Sequence, residues 1–345
     1  MFCLKRAEKF NTGPVFREGM EAYLIKQRPE DFLVAERSLS APGEAGEYLI
    51  LKMTKKRYTT EDAVQRIARA LHIDRKAIGY AGSKDSMAVT TQSISIRGAP
   101  RESALGLRLK DITLEFLGFS GRPISLGDLE GNNFEITARG IEPGMKAPRR
   151  IGRFINYFGE QRFSTNNAGI GKAILKKDFK RAVELIIEGS DRDRQVLGGF
   201  LSENTNNYVS ALKQMPWKTL TLYIHAYQSK LWNEVAKKLC EKSPEREDEL
   251  IPIFGFGTEF VNPEVEEIYN ELLSAEGVSQ ADFVIRQIPD LSSSGSDRRL
   301  FCEIERLEIG QLQDDELNPG KKKILLKFSL GKGCYATEAI KEIFG

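Results

Sequence analysis

The hydrophobic positions change period several times along the chain. Leu24 and Ile25 make a short apolar start, Pro29 imposes an extended or turn conformation just before it, and Phe32-Leu33-Val34 resumes a strand. Tyr48-Leu49-Ile50-Leu51-Lys52-Met53 predicts a second strand. The spacing then becomes helical. Thr59-Thr60-Glu61-Asp62 offers hydroxyl caps and first-turn acids, and Val64, Ile67, Ala68 and Leu71 form an apolar stripe that ends at His72. His72 at that end reads as a structural residue. Strand character returns in Ser93-Ile94-Ser95-Ile96, in Leu114–Phe119 and in Leu129–Ala138, where Phe134, Ile136 and Ala138 share one face with Asn132 at the strand's start.

Farther along, Ile151, Phe154, Ile155 and Phe158 recur at helical spacing and predict a helix over 149–158, closed by Gly159. From about residue 165 the chain is helix-rich. Ala182, Val183, Leu185 and Ile186 give one apolar face, and Ala226, Leu231, Val235 and Leu239 give another, with Tyr227 and Trp232 read as packing groups. Asn167-Ala168-Gly169-Ile170-Gly171-Lys172 lacks the full spacing and the hydroxyl residue of a phosphate loop, so it reads as a helix entrance. Glu241–Glu249 is a charged connection, and Leu291–Arg299 is a Ser/Gly loop ending in two arginines, either a mobile linker or a phosphate clamp. Strand periodicity comes back at Ile324–Leu330, followed by a Gly-Lys-Gly turn and a last helix, Glu338–Phe344. Strand-rich ends around a helix-rich middle predict an α+β domain interrupted by an insertion.

One stretch carries candidate chemistry. Ile78-Gly79-Tyr80-Ala81-Gly82-Ser83-Lys84-Asp85-Ser86-Met87-Ala88-Val89-Thr90-Thr91-Gln92 starts apolar, breaks at two glycines, presents Lys84 beside Asp85 and resumes as a strand. It is either a surface turn with an ordinary ion pair or a loop that holds a charged pair against a ligand. Two other groupings have the same double reading. Lys26, Glu30 and Phe32 either flank an interrupted edge strand or converge on a ligand. Asn156-Tyr157-Phe158-Gly159-Glu160-Gln161-Arg162-Phe163 is either a helix end with core aromatics or a set of rings, amide and guanidinium suited to unpaired bases.

Composition narrows the class. The 345 residues are 41% hydrophobic, enough for two cores, and 51 Lys and Arg against 49 Asp and Glu leave a net charge of only +2. That balance argues against a purely electrostatic, coating type of binder, although local clustering can still suit nucleic acid. Cys3, Cys240, Cys302 and Cys334 are too sparse for a disulfide scaffold and predict a reduced, cytoplasmic protein. His72 and His225 lie far apart, so no zinc site is expected. No apolar run approaches the roughly 20 residues of a membrane span, and Met1–Arg6 has no signal-peptide character.

Five stretches in order resemble the TruD family of tRNA pseudouridine synthases: Arg28-Pro29-Glu30-Asp31-Phe32-Leu33-Val34, Ala81-Gly82-Ser83-Lys84-Asp85, Gly131-Asn132-Asn133-Phe134, Asn156–Phe163 and Lys332-Gly333-Cys334-Tyr335-Ala336-Thr337. The resemblance covers most of the chain and is thinnest from about 165 to 300. It implies an enzyme that isomerises a tRNA uridine to pseudouridine, at nucleotide thirteen of the D-arm in bacterial members. It also implies a catalytic domain with a mixed, mainly antiparallel sheet, over 1–152 and 303–345, and a helix-rich α+β insertion domain over 153–302.

By position, the resemblance makes Asp85 the catalytic aspartate. Phe32, Asn132 and Tyr335 become pocket residues around the target base, and Phe134 the ring that stacks on the uracil. Lys26, Lys84, Asn156 and Arg162 become further substrate contacts. Ser86-Met87 departs from the basic residues commoner there in the family. The reaction breaks the uracil N1–ribose bond and re-forms it from C5, so neither a cofactor nor a metal is required. The expected partner is tRNA, with other structured RNA as an extension; neither a membrane nor an obligate protein partner is inferred. A buried aspartate needs a cation to stay charged, and Lys84 and Arg162 are the candidates. The competing readings are a catalytically silent RNA binder, a base-removing hydrolase and a structural α+β protein.

Overall fold

The structure is a computed structural model that describes residues 23–164 and 166–345. The expectations placed on Met1–Arg6 and on Cys3 lie outside the described residues. In chain order the elements are β1 (Phe32–Ser38), β2 (Tyr48–Lys56), α1 (Thr60–Ala70), β3 (Ile78–Tyr80), β4 (Val89–Arg97), α2 (Arg101–Leu105), β5 (Ile112–Ser120), β6 (Leu129–Ile141) and β7 (Arg153–Ile155). There follow α3 (Asn167–Leu175), α4 (Phe179–Gly189), α5 (Asp191–Glu203), α6 (Tyr208–Leu212), α7 (Trp217–Lys242), β8 (Leu250–Ile253), α8 (Pro263–Glu276) and β9 (Ser296–Arg299). The chain ends with β10 (Phe301–Ile309), β11 (Gln313–Asp314), β12 (Lys322–Gly331) and α9 (Ala336–Phe344). Two compact units result: Met1–Phe154 with Glu303–Gly345, and Ile155–Cys302.

The first unit is built on a mixed sheet in the order β5-β2-β4-β1-β6-β12-β10-β7, with β3 beside β4 and β11 beside β12. Only the β1–β4 pairing is parallel among the registers described, and the others are antiparallel. This is the mixed, mainly antiparallel α+β architecture the pattern and the resemblance led one to expect. Leu49, Leu51 and Met53 point to one face of β2, where Ala63, Val64 and Ile67 of α1 cover them. Thr59 caps α1 by accepting from the Asp62 N–H at 3.1 Å. β1 is an interior strand between β4 and β6, not an edge. Pro29 therefore sits before it, in a short 3-10 turn (Pro29–Asp31), where its missing N–H costs no ladder bond.

A buried ionic network ties that turn to the sheet. Arg139 of β6 donates to Asp31 at 2.8 and 2.9 Å and to Asp315 at 2.8 Å. Burial works against ionisation, and the partner carboxylates more than restore it, holding the guanidinium above its usual pKa.

The second unit is helical with a short antiparallel pair, β8 with β9. Tyr227 and Trp232 are fully buried in α7, as read. Two expectations fail here. Residues 149–158 form coil and the short strand β7, not a helix, because Phe154 and Phe158 are buried from extended backbone. The Ser/Gly segment before Arg298 and Arg299 is not a mobile linker. It enters β9, where Arg298 donates to Asn156 and lies 4.0 Å over the Phe158 ring, and Arg299 pairs with Asp248 at 2.8 Å.

The cysteines also depart from expectation, since Cys302 and Cys334 are both disulfide-bonded. Among the described residues, no helix is long and apolar enough to cross a membrane.

Candidate active site

Residues 81–88 form a loop between β3 and β4, as the glycine-broken pattern foretold. Gly79 is required by space: a Cβ there would meet the Ile124 carbonyl at 2.3 Å and the Ser95 hydroxyl at 2.8 Å. The loop is pegged from beneath. The Lys84 N–H donates to Thr60 Oγ1 at 2.8 Å, Thr60 donates to Gln92 at 2.8 Å, and Gln92 donates to the Gly82 carbonyl at 3.0 Å. Thr60 and Gln92 are fully buried.

At the loop's tip, Asp85 Oδ1 accepts from the Met87 N–H at 3.1 Å, the Asx-turn geometry that fixes a carboxylate relative to its own backbone. Asp85 Oδ2 is ion-paired with Lys26. Burial opposes the charge on Asp85. The Lys26 ammonium and the N–H groups of Met87 and Ser86 outweigh it, holding the carboxyl below its usual pKa. The Asp85 side chain is still 34% exposed, so a ligand can reach it.

Lys26 is thus the cation that keeps Asp85 charged. This corrects the expectation for Lys84, whose ammonium turns away to Glu36 at 2.6 Å with both side chains buried. Lys26 itself adopts a left-handed backbone, φ 60°, unusual for a residue with a Cβ. Its ammonium lies 4.5 Å above the Phe32 ring, which links the carboxylate to the aromatic floor. Glu30, read as a third member of that group, pairs with Lys56 instead.

Strand register builds the floor. Lys55 opposes Thr90, Thr90 opposes Val34, Val34 opposes Phe134 and Phe134 opposes Phe328. Directly opposed residues share a face, so these five form one transverse row. The next rows hold Glu36, Asn132 and Leu330 on one side and Phe32, Ile136 and Leu326 on the other. Phe134 stacks on Phe328 with centroids 5.4 Å apart and meets the edge of Phe32 at 6.3 Å. It is only 7% exposed, and Phe32 5%. The fold therefore brings Lys26, Phe32, Asp85, Asn132 and Phe134 together. Asn132 Oδ1 is buried and accepts no hydrogen bond from a described residue, which leaves an acceptor available beside the ring.

The remaining sequence candidates belong to other elements. Tyr335 lies between β12 and α9, half-buried, its carbonyl accepting from the N–H groups of Glu338 and Ala339 at 3.1 and 3.2 Å. Asn156 and Arg162 belong to the second unit. The Asn156 amide donates to the Arg299 carbonyl at 3.2 Å and accepts from Arg298 at 2.6 Å, so it is an internal tie rather than an open base-contacting group. Arg162 donates to Ser229 at 3.3 Å. Sequence reasoning missed Lys55, Glu36, Thr60 and Gln92, which hold the loop.

The similarity of the chain to known proteins points the same way. A family model described as tRNA pseudouridine synthase D (TruD) matches residues 17–197, 188–250 and 246–343. A Methanosarcina mazei protein named "Probable tRNA pseudouridine synthase D" is 29% identical, with 92% of each chain covered. A Methanocaldococcus jannaschii protein named "Probable tRNA pseudouridine synthase D 2" is 31% identical, covering 97% of this chain and 94% of its own. A crystal structure of a Methanosarcina mazei protein named "Putative tRNA pseudouridine synthase D (TruD)" superposes with a TM-score of 0.72 at 28% identity, over 97% of this chain and 94% of that one. A matching sheet, and a family model that spans nearly the whole sequence, identify this chain as a member of the TruD family of tRNA pseudouridine synthases, isomerases that act on RNA.

Proposed function

We propose that the protein isomerises the uridine at nucleotide thirteen of the tRNA D-arm to pseudouridine, with Asp85 acting at the flipped-out nucleotide. The observation that carries this reading is the reachable Asp85 carboxylate, kept ionised by Lys26 at the edge of an aromatic floor. Opening the base stack costs a few kcal/mol, and stacking on an aromatic side chain returns about 1–3 kcal/mol per base. The free acceptor on Asn132 matches the N3–H of uracil. Asp85 then acts as nucleophile or as base at the ribose while the N1–C1′ bond breaks. The base turns, C5 bonds to C1′, the C5 proton is lost and N1 gains one. Atoms and electrons balance without a redox partner.

In this reading the unit of Met1–Phe154 with Glu303–Gly345 is the catalytic domain and Ile155–Cys302 the family's insertion domain, with Tyr335 at the pocket wall and Arg162 toward the RNA. The enzyme works where tRNA is processed, in the cytoplasm, and other structured RNA is a secondary substrate. Chemical mapping of pseudouridine in total tRNA, with and without the protein, tests the proposal. Modification at nucleotide thirteen is expected, and modification only elsewhere overturns the assignment. Release of free uracil makes the protein a hydrolase, and unmodified but bound tRNA makes it a silent binder. Asp85→Asn should bind tRNA normally and form no pseudouridine; turnover by that variant removes Asp85 from the chemistry.

A further inference from the structure

Lys55 is the last inward position of β2, following Leu49, Leu51 and Met53, and it is 1% exposed. A buried lysine normally meets a carboxylate, because an unpaired ammonium in the interior is costly. Lys55 meets carbonyls instead. Its ammonium donates to Tyr58 O at 2.6 Å, to Asp85 O at 3.0 Å and to Lys84 O at 3.3 Å. An ammonium has three N–H donors, and here three carbonyl oxygens lie within hydrogen-bonding distance of it. Two of the three acceptors are the backbone of the Lys84-Asp85 pair, and the third lies just before α1. The ammonium thus joins the end of β2 to the loop that carries the carboxylate.

We propose that Lys55 is a positioning residue for the reaction: by holding the Lys84 and Asp85 carbonyls it fixes the backbone from which the Asp85 side chain is aimed at the ribose. This rests on the reading of Asp85 given above. The device needs the charged form, because a neutral amine offers two donors and turns a lone pair toward the third carbonyl. Burial weakens that form and pushes the Lys55 pKa down to about 8; Asp85 and Asp62 favour the charge and Lys84 opposes it. Lys26, ion-paired with Asp85, is a further cation beside this cluster.

Single-turnover kinetics on tRNA provides the test. Lys55→Met keeps the length and removes all three donors. Its rate constant for pseudouridine formation should fall by about 100-fold, the scale of a 1 Å misplacement, while tRNA affinity stays within about twofold. Wild-type rate should decline as pH rises through about 8, and Lys55→Arg, which stays charged, should lose that decline. A Lys55→Met enzyme with wild-type rate, or a wild-type rate flat from about pH 7 to 9.5, overturns the proposal. The flat profile decides even if neither variant folds. Loss of rate with an equal loss of tRNA affinity and melting temperature makes Lys55 a stability residue only and also overturns it. Activity in Asp85→Asn would instead sink the underlying reading, so the two failures are distinct.

Discussion

Asp85 shows how a charge is kept in a partly dry site. Burial alone would raise its pKa, and the Lys26 ammonium with two backbone donors reverses the sign. A depressed carboxyl stabilises the fold above its unfolded pKa and loses that contribution as pH falls through the folded value. In Lys26→Met burial loses the ion pair that opposes it, so the acid limb of the rate profile should move to higher pH. Rates measured from about pH 4 to 8 check this, and an unmoved limb would show that the backbone donors suffice. Phe134 calls for a different substitution from the one its stacking role first suggests. It lies between Phe328 and Phe32, so Phe134→Ala should cost about 3–5 kcal/mol of stability. Phe134→Leu keeps most of the volume and removes the π face. Its melting temperature should stay within a few degrees while the rate drops; an unchanged rate would make the ring a core residue only.

At the scale of elements, β1, β2, β4, β5, β6, β12 and α1 were legible because their apolar residues keep one period from end to end. The same alternation held an unread signal. Phe32 and Val34 point inward, so Glu36 must follow; Leu49, Leu51 and Met53 point inward, so Lys55 must follow. A charge that continues a core face in sequence marks a site where the fold pays to bury it, and both residues here hold the Asp85 loop. Asn132 and Phe134 were legible by the same rule, two apart on one strand. Lys26 as the partner of Asp85 was not: its position depends on a left-handed residue and on a contact 59 residues distant. The helix read over 149–158 failed because aromatics three and four apart also arise in coil that buries each ring separately. Thr60 illustrates a role no pattern shows, since it stands at the first turn of α1 yet spends its hydroxyl on the loop. Thr60→Val would leave the Lys84 N–H and the Gln92 oxygen unpartnered, at about 1–3 kcal/mol for each group. Thermal unfolding should show a fall of several degrees, and an unchanged melting temperature would mean the loop has another support.

On the scale of the whole molecule, charge decides how tRNA is held. With 51 cations against 49 anions, long-range attraction is weak, and many of the cations are already committed to carboxylates within the fold, as Lys26, Lys84 and Arg139 are. Binding must then rest on a few local phosphate contacts together with the flipped base. Each phosphate neutralised adds about −0.7 to −0.9 to the slope of log affinity against log salt. Three or four contacts predict a slope of about −3, or roughly sixty-fold between 50 and 200 mM salt, well short of the 10³–10⁵ losses of strongly basic binders. Titrating labelled tRNA with the Asp85→Asn variant measures this without turnover. A slope near −8 would mean that the protein coats RNA through a basic surface its composition does not suggest. A slope near zero would remove the phosphate contacts, and with them the case that a folded RNA is the substrate.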